Sequence, residues 1–165
     1  MSMRTTKILV LLMFAFMPRV KAQYISLNEL ISLRGKDFDS VNDYLIAKGW
    51  KFTEASEETS EDYAVTSWGY QVNHYTTAAA AFINLRSATG YPPNITYQTI
   101  NENYYSLYKK QIAAYNMRKA GSTIEDGEVT TFYEGENYLV KITVGTDGLK
   151  GIPTYRFNLR KKTSL

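Results

Sequence analysis

An α+β fold is predicted, in which two repeats of helical segments plus four antiparallel strands join into one curved sheet of about eight strands, with helices on one face. Three observations predict it. Phe38, Val41, Leu45, Gly49 and Trp50 are answered 67 residues later by Tyr105, Tyr108, Ile112, Asn116 and Met117, so an apolar helical face, a stop residue and a bulky follower recur in order. Each of these sets precedes four strand-like runs, and the runs of the second half alternate apolar with polar residues at the period of a half-buried strand.

The chain begins with features of an export signal. Arg4 and Lys7 precede the apolar run Ile8–Met17, and Val20-Lys21-Ala22 offers the small-residue approach to a cleavage site before Gln23. The run is far shorter than the ~20 residues a membrane-spanning helix needs. Residues 1–22 are therefore expected to be removed, leaving 23–165 as a single domain of two repeats, about 23–98 and 99–165.

The elements follow in order. Ser26-Leu27-Asn28-Glu29 reads as a capping box, and Leu27, Leu30 and Ile31 continue a short helix to Arg34-Gly35. A second helix starts at Asp37 or Asp39, either a good N-cap, and Gly49 ends it by accepting a left-handed conformation. Strands are expected near 50–55, 63–72, 79–87 and 95–100. Thr99-Ile100-Asn101-Glu102 reads as another capping box, opening the helix that Asn116 stops. Further strands are expected near 118–124, 128–133, 138–144 and 154–160, separated by turn signals at Glu125-Asp126-Gly127, Glu134–Asn137 and Asp147-Gly148. Val65–Trp68 is matched with Val129–Phe132, and Pro93–Tyr97 with Pro153–Phe157. Tyr138, Val140, Ile142, Val144, Tyr155, Phe157 and Leu159 should face helices, leaving Lys141, Thr143, Arg156, Asn158 and Arg160 on the other side.

Charge and composition narrow the function. The formal +3 includes four basic residues of the export segment; without them 15 basic face 16 acidic residues, which removes the electrostatic case for nucleic acid. There is no cysteine, so the core must hold by packing alone, and cysteine nucleophiles, thiolate metal sites and a lipid-modified N-terminal cysteine are excluded. Fourteen tyrosines suit either sheet packing or a tyrosine-lined binding surface. Basic residues outnumber acidic ones ten to seven from residue 91 onward and trail five to nine over 23–90, an asymmetry that either solubilises the surface or steers an acidic partner or a sibling molecule. Ala78–Ala81 has high helix propensity yet runs into the strand-like Phe82–Leu85, a place for close approach to the sheet.

The doubled unit behind an export signal is similar to the β-lactamase-inhibitor-protein-like architecture. The order Tyr24–Leu30, Phe38–Leu45 and Lys48-Gly49-Trp50 also resembles small secreted proteins of unknown role from Bacteroidetes-type bacteria. The inhibitor family's disulfides are missing here and its inhibitory loop residues find no match, so the resemblance implies an open binding sheet and not enzyme inhibition.

Chemistry at single residues is sparse. His74 is the only histidine and is expected in a turn; alone and without cysteines it builds no zinc site of the usual type. No G-x-S-x-G elbow accompanies it, and the acidic loop Ser56–Asp62 lacks the alternating ligands and glycine of a calcium loop. No catalytic residue, metal or cofactor is therefore expected. The predicted function is an exported, non-enzymatic protein that binds a protein or peptide through Trp68, Tyr70, Tyr97, Phe132, Arg156 and Arg160 on an open sheet face. The alternatives are a periplasmic carrier of a small apolar or lipid ligand and an envelope-assembly or structural protein. The expected location is the periplasm or medium of a Gram-negative bacterium, as a monomer or weak dimer without nucleic acid and without a membrane-integral segment once the export signal is cleaved.

Overall fold

In the computed structural model, which describes residues 24–60, 62–73, 75, 78–147 and 151–162, the elements run α1 (Leu27–Arg34), α2 (Phe38–Ala47), β1 (Trp50–Ser56), β2 (Ala64–Tyr70), β3 (Ala81–Ala88), β4 (Tyr91–Thr99), α3 (Glu102–Ala114), β5 (Arg118–Glu125), β6 (Glu128–Glu134), β7 (Tyr138–Thr146) and β8 (Pro153–Lys161). The export segment, Glu61 of the acidic loop, His74 and Gly148 lie outside the described residues.

Local chemistry sets the helix ends. The Ser26–Glu29 capping box forms, with both its reciprocal bonds present. Asp37, not Asp39, caps α2, accepting from the Ser40 N–H at 2.8 Å. The expected box at Thr99–Glu102 does not form. Thr99 ends β4, and Asn101 caps α3 by accepting from the Asn103 N–H at 3.0 Å. Gly49 and Asn116 both adopt positive φ, 85° and 53°, and turn the chain directly into Trp50 and Met117, both buried.

The eight strands form one curved antiparallel sheet in the order β1-β2-β3-β4-β8-β7-β6-β5. Each half is a four-stranded meander, and the last strands of the two halves meet at the centre. Their pairing is symmetric about Tyr97↔Phe157: Ile95 pairs with Leu159 and Thr99 with Tyr155. The matched segments Pro93–Tyr97 and Pro153–Phe157 thus lie about a pseudo-twofold axis. Each edge strand carries a bulge, at Thr53 in β1 and Ala120 in β5, again 67 residues apart. A bulge blunts an edge that would otherwise recruit another strand.

Two of the boundaries that differ from expectation have a local cause. Gln71 has φ 53° and closes β2 at Tyr70. β4 begins at Tyr91, ahead of Pro92 and Pro93. These prolines, which have no N–H, lie where β8 does not pair with β4, since that ladder starts at Ile95.

The core lies between the helices and one sheet face. Tyr108 of α3 stacks on Phe157 at 4.0 Å and on Tyr97 at 5.6 Å, and its hydroxyl donates to the Ile25 carbonyl. Val41 and Leu45, the counterparts of Tyr108 and Ile112, fill the other half beside Trp50 and Trp68. Ala81, the last of the four alanines, is buried here at the start of β3.

Candidate binding face

Among the described residues the opposite face of the sheet carries no helix. Across it Ser67, Asn84, Thr96, Asn158, Lys141 and Phe132 lie opposite one another in one row, from β2 to β6. Phe82, Gln98, Arg156, Thr143 and Thr130 make the next row. The alternation read from β7 and β8 therefore holds. Lys141, Thr143, Arg156, Asn158 and Arg160 share the uncovered side, while Val140, Ile142, Phe157 and Leu159 are buried beneath helices.

The predicted aromatic surface does not hold. Trp68, Tyr70 and Tyr97 are 0%, 7% and 0% exposed and belong to the core beneath the helices. The Trp68 indole N–H donates to Asn42 Oδ1 of α2 at 3.1 Å, so the ring is tied to the helical layer. Phe132 does lie on the open side, 39% exposed. The error lies in matching Trp68 with Phe132. Counted outward from the central pair, Trp68 corresponds to Thr131; counted inward from the edge bulges, it corresponds to Tyr133. Phe132 falls between the two, and one step along a strand inverts the face.

Arg156 and Arg160 do reach the open face with Lys141 and Asn158, as expected, and Arg86, Asn94 and Gln98, not predicted there, join them. Arg86, Asn94, Gln98, Lys141, Arg156 and Asn158 help to line a groove of about 450 Å³. A neighbouring hollow of about 230 Å³ is bordered by Phe132, Leu139, Lys141 and Arg160, and a third, of about 220 Å³, by Tyr63, Arg86, Tyr91 and Arg160. Asn94 borders all three, so the hollows are contiguous. The signal for the missed residues was present in β4, where Asn94, Thr96 and Gln98 alternate with Ile95, Tyr97 and Thr99.

Hydrogen bonds hold the floor. Asn158 Nδ2 donates to Thr96 Oγ1 at 2.9 Å, and the Thr130 and Thr143 hydroxyls bond to each other at 3.1 Å. Arg156 Nη2 donates to Glu128 Oε1 at 3.1 Å. Gly145 permits this pair, because a Cβ there would stand 2.8 Å from the same Glu128 oxygen. Arg86, Lys141 and Arg160 form no ion pair among the described residues. The Asn94 Oδ1 atom is buried without a donor among them. At the rim, hydrogen bonding from Lys162, with Arg118 nearby, holds the Glu134 carboxyl below its ordinary range.

A second polar cluster, on the helical side, is structural. Glu29 accepts from the Ser26 N–H and hydroxyl, at 2.7 and 2.6 Å, and from Tyr44 and Lys48. Burial by itself would raise its pKa, but the Lys48, Ser26 and Tyr44 hydrogen bonds outweigh that and hold it at about 2. Burial, with the Glu29 charge adding, pushes Tyr24 up to about 12. These bonds tie α1 to α2 and leave Glu29 no lone pair aimed at a substrate. Among the described residues no group of His, Asp or Glu is placed to hold a metal, and no helix is long and apolar enough to cross a membrane. In comparisons with known proteins, the chain matches no family model, no curated protein and no solved structure.

Proposed function

We propose that the chain is an exported, non-enzymatic binding protein whose uncovered sheet face receives a protein or peptide partner, with residues 1–22 directing export. One observation carries this reading: a contiguous, grooved, polar face spans the sheet while every described helix packs on the other side. The binding set is revised from the aromatic one to Arg86, Asn94, Gln98, Lys141, Arg156, Asn158 and Arg160, with Phe132 at the margin. The carrier alternative lacks support between helices and sheet, where Trp50, Trp68, Tyr97, Tyr108 and Phe157 fill the space.

Site-specific photocrosslinking in the source cell tests this. A benzophenone side chain at Asn84 or Gln98 on the open face should give a discrete protein adduct. The same group at Ser32 or Asn103, exposed on the helices, should not. Adducts from the helical positions alone, or from none, would refute the reading. Native mass spectrometry should show the bare polypeptide mass; a retained small molecule would favour a carrier instead.

A further inference from the structure

Cations on the open face are numerous, spread out and largely unanswered. Arg86 stands on β3, Arg156 and Arg160 on β8 and Lys141 on β7, with Lys161 at the margin. Among the described residues no carboxylate lines any of the three hollows, and the acid that pairs with one of these cations is Glu128, on Arg156. From β3 to β7 are three strand spacings, about 14 Å, and from Arg156 to Arg160 four residues, about 13 Å. One phosphate or one carboxylate cannot engage groups so far apart. An extended chain with several acidic groups can.

One further feature favours a polypeptide over an anionic polysaccharide. The hollow beside Lys141 and Arg160 is walled by Phe132, Leu139 and Ala120, an apolar seat next to two cations.

We infer that the occupant of this face is an acidic peptide segment of a partner protein, lying across β3, β4, β8 and β7. Its carboxylates meet Arg86, Lys141, Arg156 and Arg160, its backbone meets Asn94 and Gln98, and an apolar side chain rests by Phe132. Glu128 holds Arg156 in place and balances it while the groove is free. The inference rests on the open-face reading above and adds the chemistry of the partner.

The test is selection of a random twelve-residue phage-displayed peptide library on the purified protein. The tightest peptide is then synthesised with a fluorophore and followed by anisotropy. Selected sequences should be enriched in Asp and Glu. Raising salt from 50 to 300 mM should weaken binding about tenfold or more, because exposed pairs are screened over about 10 Å. Lys141→Glu and Arg86→Glu, exposed positions with no ion pair among the described residues, should each raise the Kd at least about tenfold, with unchanged circular dichroism and melting. Lys109→Glu, on the exposed side of α3, should leave it unchanged. Neutral or basic selected peptides, or equal effects of Lys109→Glu and Lys141→Glu, would overturn the inference. So would polygalacturonate competing fully while the peptide charge proves irrelevant. Open-face photocrosslinks without acidic selection would sink the acidic class and spare the partner-binding reading; absence of both would sink the two together.

Discussion

Replacing Trp68 by alanine separates a buried ring from a binding ring. Trp68 is fully enclosed, its ring 6.1 Å from Phe38 and 6.5 Å from Phe52, with its indole N–H on Asn42. Burial of about 200 Å² of ring at about 25 cal/mol/Å² gives about 5 kcal/mol. Alanine keeps a part of that and α2 relaxes into some of the space. Against this, Asn42 loses its donor. The expected loss is about 3–5 kcal/mol, which for a domain of this size lowers the melting temperature by about 10–20 °C. Phe132→Ala, on the other side of the sheet and 39% exposed, should cost under about 1 kcal/mol. Urea unfolding of both variants, followed by circular dichroism, makes the comparison directly. If Trp68→Ala cost no more than Phe132→Ala, the register that puts Trp68 under α2 would be wrong, and with it the polar character of the open face.

Other consequences are equally concrete. The folded pKa of Glu29, about 2, lies below its ordinary value of 4.5, so its stabilisation is complete above about pH 4.5 and disappears as pH falls through 2. Glu29→Gln should therefore lose about 1–2 kcal/mol at pH 7, discounted for partial solvent screening, and approach wild type near pH 2. Urea midpoints at the two pH values would contradict this if the gap stayed constant. Gly49→Ala should cost about 1 kcal/mol because φ is 85°, whereas Asn116→Gly should be neutral or slightly stabilising, as read from thermal melts. At Gly69 a Cβ would lie 2.5 Å from Val72 Cγ2 and 3.2 Å from Thr53 Cγ2, so Gly69→Ala should cost about 1–3 kcal/mol. At Gly145 the nearest atoms to an added Cβ are those of the flexible Glu128 side chain, so Gly145→Ala should cost less than half of that in the same denaturation assay.

Much of the fold was legible in residue order because the signals are local. A capping box, a left-handed stop, an alternating strand and a tight turn each act within a few residues. The 67-residue recurrence then revealed the doubled unit, down to the paired Gly49 and Asn116 stops. The Thr99–Glu102 box failed for a non-local reason: Thr99 is taken into β4 by its pairing with Ala81 and Tyr155, which leaves Asn101 to cap the helix.

Composition and periodicity by themselves determined an α+β chain of two like halves, the approximate position of each element and the two faces of β7 and β8. Tertiary structure alone decided which face of β2 and β6 the helices cover. Alternation divides a strand into two sets but does not name the buried one, and a shift of one residue exchanges them. It alone also gathered Arg86, Asn94, Lys141 and Arg156. Arg86 and Asn94 already face each other across β3 and β4, and Lys141 and Arg156 share the β7–β8 pair, but the two sets become neighbours only when β4 and β8 pair at the centre of the sheet.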